Sequence, residues 1–129
     1  MPATAAHIGE INLVAIPSPD QDRSIAFYVE KLGFEKRTDV PFGGGYRWVE
    51  VYPPSGTTGI ALAPPRETDS GGVQTGISLT TGDIDATHAE LLAAGVDVDA
   101  DVLRMGDPVP AMFWFRDPDG NTLLIVEQP

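Results

Sequence analysis

The chain has 129 residues, 42% of them hydrophobic and 21% charged, which suits one domain or two small halves sharing one core. It contains no cysteine, so disulfides and thiolate-held metals are excluded, and no apolar run nears the ~20 residues that span a bilayer. Nineteen acidic residues against eight basic ones leave a formal charge of −11, a field that repels nucleic acid and anionic membranes, favours cationic ligands and keeps the protein soluble.

Residues 1–7 read as a loose terminus, and the opening MPATAAHIGE lacks the basic start and apolar centre of a signal peptide, so a cytoplasmic location is expected. Residues 10–16 (EINLVAI) are rich in aliphatic and β-branched side chains and form a predicted strand, stopped by Pro17-Ser18-Pro19. Asp20 is placed to cap a helix over residues 21–32, with Ile25, Tyr28, Val29 and Leu32 on one face and Gly33 at its C-terminal end. A strand follows over 34–40. Gly43-Gly44-Gly45 reads as a flexible loop able to move over a groove; no helix follows it, which rejects a phosphate loop. Residues 46–52 (YRWVEVY) alternate, with Tyr46, Trp48, Glu50 and Tyr52 on one face and Arg47, Val49 and Val51 on the other. After the turn Pro53-Pro54-Ser55-Gly56, residues 59–63 make a fourth strand.

Residues 64–72 (PPRETDSGG) read as a linker, and beyond them the same order returns. A strand is expected over 76–80, a helix from its cap Asp83 to about Ala94 with Gly95 after it, and a strand over 96–103. The chain closes on AMFWFRDPDGNTLLIVE, an aromatic strand and an aliphatic strand joined by the turn Asp117-Pro118-Asp119-Gly120-Asn121. Asp20 and Asp83 are 63 residues apart, and Gly33 and Gly95 are 62 apart. Matching punctuation at a near-constant offset argues for an internal duplication of strand, helix and three strands, although few letters are identical. The units are residues 1–63, a linker 64–73, and residues 74–129.

The DPDGN turn feeding a final apolar strand resembles the C-terminal end of the vicinal oxygen chelate superfamily, which includes glyoxalase I, bleomycin-resistance proteins and extradiol dioxygenases. Asp20, then Phe27-Tyr28, then Leu32-Gly33-Phe34 resemble a further superfamily pattern, and Asp83, Leu91 and Gly95-Val96 extend it into the second half. The resemblance implies an α+β fold: two βαβββ modules forming an eight-stranded, open, curved mixed sheet, with helices outside and a ligand or metal on the concave face. It also implies a homodimer. Metal-dependent members place four His, Glu or Gln ligands on that face, and the matching positions here are Leu13, Ala61, Gly76 and Leu124. None offers a donor. A shift of one residue brings in only the weak oxygens of Asn12 and Thr75, so no metal and no cofactor are expected.

The remaining candidates are weaker. Tyr46, Trp48, Phe113, Trp114 and Phe115 are either an aromatic-walled groove or core, and alternation forces Trp114 to face opposite to Phe113 and Phe115. Arg47, Glu50 and Arg116 either orient a polar ligand or sit at solvated strand edges; Glu50 is the one candidate base. Asp97, Asp99 and Asp101 share a strand face but lack the glycine and closing glutamate of a calcium loop. His7 lies in the terminus, and His88 lies on the second helix in the outer layer.

Three functions are compatible with these residues. The first is a metal-free protein binding a small, cationic or aromatic molecule through Leu13, Tyr46, Arg47, Trp48, Gly76, Phe113, Trp114, Phe115 and Leu124. The second is a divalent-metal-dependent lyase or dioxygenase, and the third a metal-independent enzyme using a carboxylate base. Whether the chain catalyses a reaction is left open.

Overall fold

A computed structural model describes residues 7–65 and 72–128. Eight strands and two helices follow the expected order: β1 (Leu13–Pro17), α1 (Gln21–Ala26) with a π-helical turn (Phe27–Lys31), β2 (Glu35–Gly43), β3 (Tyr46–Tyr52), β4 (Gly59–Ala63), β5 (Gln74–Thr81), α2 (Ile84–Ala93), β6 (Asp97–Val98), β7 (Met112–Arg116) and β8 (Thr122–Glu127). The strands bond into two four-stranded sheets of identical topology, β1-β4-β3-β2 and β5-β8-β7-β6, with the first strand of each parallel to the last and the other pairs antiparallel. The repeat read from the spacing of aspartates and glycines is therefore a repeat of architecture.

Both helices start where an aspartate accepts a free amide of the first turn: Asp20 from the Arg23 N–H at 3.1 Å and Asp83 from the Ala86 N–H at 3.0 Å. The first helix widens after Ala26, where the Leu32 N–H reaches the Phe27 carbonyl at 3.3 Å. This wider turn sets two consecutive aromatics, Phe27 and Tyr28, into the interior together, where regular α spacing separates neighbours by about 100°. Gly33, at φ +77°, ends the element and lets Phe34 return its N–H to the Tyr28 carbonyl.

Two expectations are corrected. Gly43-Gly44-Gly45 is a tight turn and not an extended loop: Gly44 and Gly45, at φ +60° and +82°, form a two-residue hairpin turn between β2 and β3, a conformation that glycine adopts without strain. The strand expected over 96–103 keeps only Asp97–Val98, and the chain returns to the sheet at a single bridge, Leu103 to Met112. Aspartates are poor strand formers, and this run of alternating aspartates leaves the edge once Asp97 and Asp99 have found their partner Arg116. Most of the expected linker, residues 66–71, lies outside the described residues.

Both modules contribute to one hydrophobic core. Ile16, Tyr28, Val49 and Leu62 of the first half share it with Ile84, Phe113, Phe115 and Leu123 of the second, and Phe27 stacks on Phe115 with ring centroids 6.3 Å apart. Each sheet turns its helix-side residues into that core and leaves its other face outside it.

Candidate functional site

The outer face of the first sheet follows from strand register. Glu50 of β3 stands opposite Ala61 of β4, and Ala61 opposite Ala15 of β1; Leu13, Gly59, Trp48 and Tyr52 fall on the same face by alternation. On β2, Thr38 and Val40 complete it, paired with Glu50 and Trp48. The odd-numbered Val49 and Val51 are fully buried on the other side, whereas Trp48, Glu50 and Tyr52 are half-buried.

Glu50 is the chemical centre of this face. The Trp48 indole Nε1–H donates to Glu50 Oε2 at 2.7 Å, and the Tyr52 hydroxyl donates to Glu50 Oε1 at 2.8 Å. Residues two apart on one strand face are spaced for this contact, so the fragment Trp-Val-Glu-Val-Tyr builds the arrangement locally. The Tyr52 ring is held in turn. It lies so close over Gly59 that a Cβ there would come within 2.7 Å of it, and the Arg37 guanidinium sits 4.3 Å from the ring centroid. Arg37 is anchored to the Glu35 carboxylate and to the carbonyls of Pro53, Pro54 and Gly56. The hydrogen bond to Glu50 holds the Tyr52 hydroxyl above its ordinary pKa, with burial adding to the shift. Neither Tyr52 nor Arg37 stood among the candidates read from the sequence; the i, i+2 alternation around Glu50 was the signal for the tyrosine.

The outer face of the second sheet differs. Trp114 occupies the register position of Glu50, opposite Leu124, with Ser78 beyond; Met112 and Arg116 are its neighbours two residues away. Arg116 donates to Asp97 at 2.9 Å and Asp99 at 2.8 Å, and holds the Asp97 carboxyl below the ordinary aspartate range. The duplicated halves thus present an acid between aromatics on one face and a tryptophan beside a neutralised arginine on the other.

Leu13 and Ala61 lie on the first outer face and Leu124 on the second, while Gly76, at φ +72°, lies in an irregular stretch of β5. Thr75 is committed, donating to the Thr122 carbonyl at 2.7 Å and accepting from the Ile77 N–H at 3.0 Å. Among the described residues no group of three or more His, Asp or Glu side chains is placed to hold a metal ion. The donors present at these positions do not fit a divalent cation.

Other sequence candidates take structural positions. Phe113 and Phe115, expected as possible groove walls, are core residues, 1% and 0% exposed, because odd positions of β7 face the helices. Arg47 lies on the helix side of β3, bonded to Asp39 at 2.8 Å and Asp22 at 2.9 Å, which removes it from the face that carries Glu50. Tyr46 closes the β2–β3 hairpin opposite Gly43. His88 donates Nε2–H to the Asp99 carbonyl at 2.7 Å and meets Phe113 edge to face. His7 is exposed.

The DPDGN turn is a clamp between the halves. Asp117 is 5% exposed and accepts from the amides of Asp119 and Asn121, the Asn121 side chain and the Tyr28 hydroxyl, each at 2.9 Å. Burial raises its pKa, opposed by those donors; burial and then the charge of Asp117 raise the Tyr28 hydroxyl far above its ordinary range. Asn121 also donates to the Pro17 carbonyl, and Asp119 accepts from Arg23 and Ser24 on the first helix. Two open hollows lie elsewhere. A cavity of about 340 Å³ between the halves is floored by Val14, Phe34, Ile60, Ile77 and Leu79, and another of about 710 Å³ lies under the loop from Arg104 to Ala111.

Comparison with known proteins agrees with this architecture. The model of the Glyoxalase/Bleomycin resistance protein/Dioxygenase superfamily matches residues 10–125. The crystal structure of TnmS3, an antibiotic binding protein from Streptomyces sp. CB03234, is 32% identical, with a TM-score of 0.83 over 97% of this chain and 100% of that one. A superfamily member from Sphaerobacter thermophilus DSM 20745 is 38% identical, with a TM-score of 0.84 over 94% and 98%. YetH of Bacillus subtilis is 30% identical over 93% of this chain and 99% of that protein.

Proposed function

This chain belongs to the Glyoxalase/Bleomycin resistance protein/Dioxygenase superfamily, and we propose that it is a metal-free binding protein for a small, partly planar organic molecule, held against the outer faces of its sheets. The observation that carries this reading is the pairing of two features on the non-helix sides of the two sheets. The positions matched to metal ligands bear leucine, alanine and glycine, while the same faces carry Trp48, Glu50, Tyr52 and Trp114. Aromatic side chains with a few fixed polar groups are the composition of a small-molecule site, whereas a metal-dependent reaction needs oxygen or nitrogen donors. TnmS3, an antibiotic binding protein, supports the same class of role.

A single four-stranded face is shallow, and Glu50 lines neither of the two hollows described above. We therefore assign the working unit as a homodimer, in which the Glu50 face of one copy is completed by a second copy, and place it in the cytoplasm. Nucleic acid is an unsuited partner for a chain of formal charge −11. Light scattering that finds a monomer at tens of micromolar removes the shared groove.

The binding reading is tested by thermal melts with Zn²⁺, Ni²⁺, Mn²⁺, Fe²⁺, chelator and a panel of planar aromatic compounds. A ligand at a hundredfold excess over its dissociation constant stabilises by about 2.7 kcal/mol, a shift of several degrees. The expected result is a saturable shift with a subset of the organic compounds and none with any metal. A saturable shift with one metal, retained stoichiometrically after dialysis, overturns the metal-free reading in favour of a metal-dependent lyase or dioxygenase. Turnover of a bound compound that is lost in Glu50→Gln replaces binding with metal-independent base catalysis.

A further inference from the structure

We infer that the outer face of the first sheet recognises the cationic group of its ligand, a protonated amine or quaternary ammonium, with Glu50 as the counter-ion. This deepens, and rests on, the small-molecule reading above.

Several carboxylates of the chain are neutralised by cations. Asp39 is paired with Arg47 and Lys36, Asp97 and Asp99 with Arg116, Asp119 with Arg23, Asp85 with Arg104, and Glu35 with Arg37. Among the described residues no lysine or arginine stands within ion-pair distance of Glu50, and what sets it apart from the other acids without one, which are exposed, buried in the turn as Asp117 is, or bonded to a helix amide as Glu127 is, is its half-buried place between two aromatics on a sheet face. Its two donors, the Trp48 indole and the Tyr52 hydroxyl, are neutral, so they orient the carboxylate without cancelling its charge. Each oxygen has used one acceptor site and keeps another.

The surroundings keep that charge in place and uncompensated. Arg37 lies against the Tyr52 ring and spends its donors on Glu35 and three backbone carbonyls. The floor beside Glu50 is Ala61 and Ala15, too short to cover the carboxylate, and Val40 flanks Trp48. A half-buried carboxylate next to an indole attracts a cation through Coulomb force and through the ring quadrupole together, in a setting less screened than bulk water. The apolar flank accommodates the organic body attached to that cation. The formal charge of −11 adds long-range attraction of the same sign.

Isothermal titration with two probes sharing one ring system tests this: naphthylethylamine, cationic at neutral pH, and naphthylethanol, its uncharged counterpart. The wild-type chain is expected to bind the amine about tenfold more tightly than the alcohol at physiological salt. Glu50→Gln is expected to bring the ratio of amine to alcohol affinity down to about one. Asp101→Asn, which removes one exposed negative charge elsewhere, is expected to preserve the ratio. Equal binding of both probes by the wild type overturns the cation inference and leaves the small-molecule reading standing. A ratio that survives Glu50→Gln, or falls equally in Asp101→Asn, also overturns it. Binding of neither probe counts against both readings. If Glu50→Gln does not fold by near-ultraviolet circular dichroism, Glu50→Asp takes its place. It retracts the carboxylate from Trp48 and Tyr52 and is expected to lower the ratio; an unchanged ratio sinks the inference.

Discussion

Two carboxylates in this protein each accept a hydrogen bond from a tyrosine hydroxyl, Asp117 from Tyr28 at 2.9 Å and Glu50 from Tyr52 at 2.8 Å, and they do opposite things. Asp117 is buried, receives four donors and joins the halves of the chain, with no acceptor site turned to solvent. Glu50 is half-buried, receives two donors and holds unused acceptor capacity at the surface. What separates a structural acid from a recognition acid here is how fully its oxygens are used and whether anything else can reach them. The motif easiest to recognise in the chain, DPDGN, belongs to the first kind.

The sharpest way to break this comparison is to remove the acids in turn. Asp117→Ala is expected to cost about 2–4 kcal/mol, because it leaves buried donors on Tyr28, Asn121 and the turn without an acceptor; urea denaturation measures it. Tyr28→Phe removes one of the four donors and is expected to cost about 1–2 kcal/mol on the same measurement. Glu50→Gln is expected to change stability by less than about 0.5 kcal/mol while altering ligand selectivity. A large stability loss in that variant would move Glu50 into the structural class.

Titration sharpens the contrast. Both tyrosine hydroxyls are raised, Tyr28 by burial first and Tyr52 by its bond to Glu50 first. For a raised group, the stabilisation is present below the unfolded pKa and is lost as pH rises through the folded one. Tyr28 is therefore expected to ionise only as the protein unfolds in alkali. In Glu50→Gln, Tyr52 alone is expected to ionise at lower pH, and ultraviolet absorbance follows both. At the acid end the sign reverses. Asp39, held low by hydrogen bonds from Arg47 and then Lys36, and Asp97, held low by Arg116, contribute stability above the ordinary aspartate pKa. That stability is lost as pH falls through their lowered values. These pairs are at least partly exposed, so the expected effect is the smallest of the series: a slight flattening of the acid limb of the melting curve in Asp39→Asn/Asp97→Asn.

Much of the architecture was legible from local signals. Capping aspartates, terminal glycines and period-two alternation depend on neighbours within a few residues, so β3, β4, both helices and the closing hairpin could be read directly. The opposed facing of Trp114 against Phe113 and Phe115 followed from alternation alone, but which side met the core did not. Arg47 and Glu50 looked alike as charges on one strand; only the packing of α1 and β2 against β3 supplied Asp22 and Asp39 to the first and, among the described residues, no cation to the second.

Sequence by itself determined the duplication, the two βαβββ units and the lack of donors at the four matched positions, because these reside in residue identity and short-range spacing. Tertiary structure decided which acid is spent and which is available. Asp117 and Tyr28 are 89 residues apart, and Asp119 and Ser24 are 95 apart, so their bonds exist only once the halves share a core. Among the described residues Glu50 has no cationic partner for the same reason: which arginine reaches which carboxylate depends on surfaces brought together by folding, at separations no local pattern encodes.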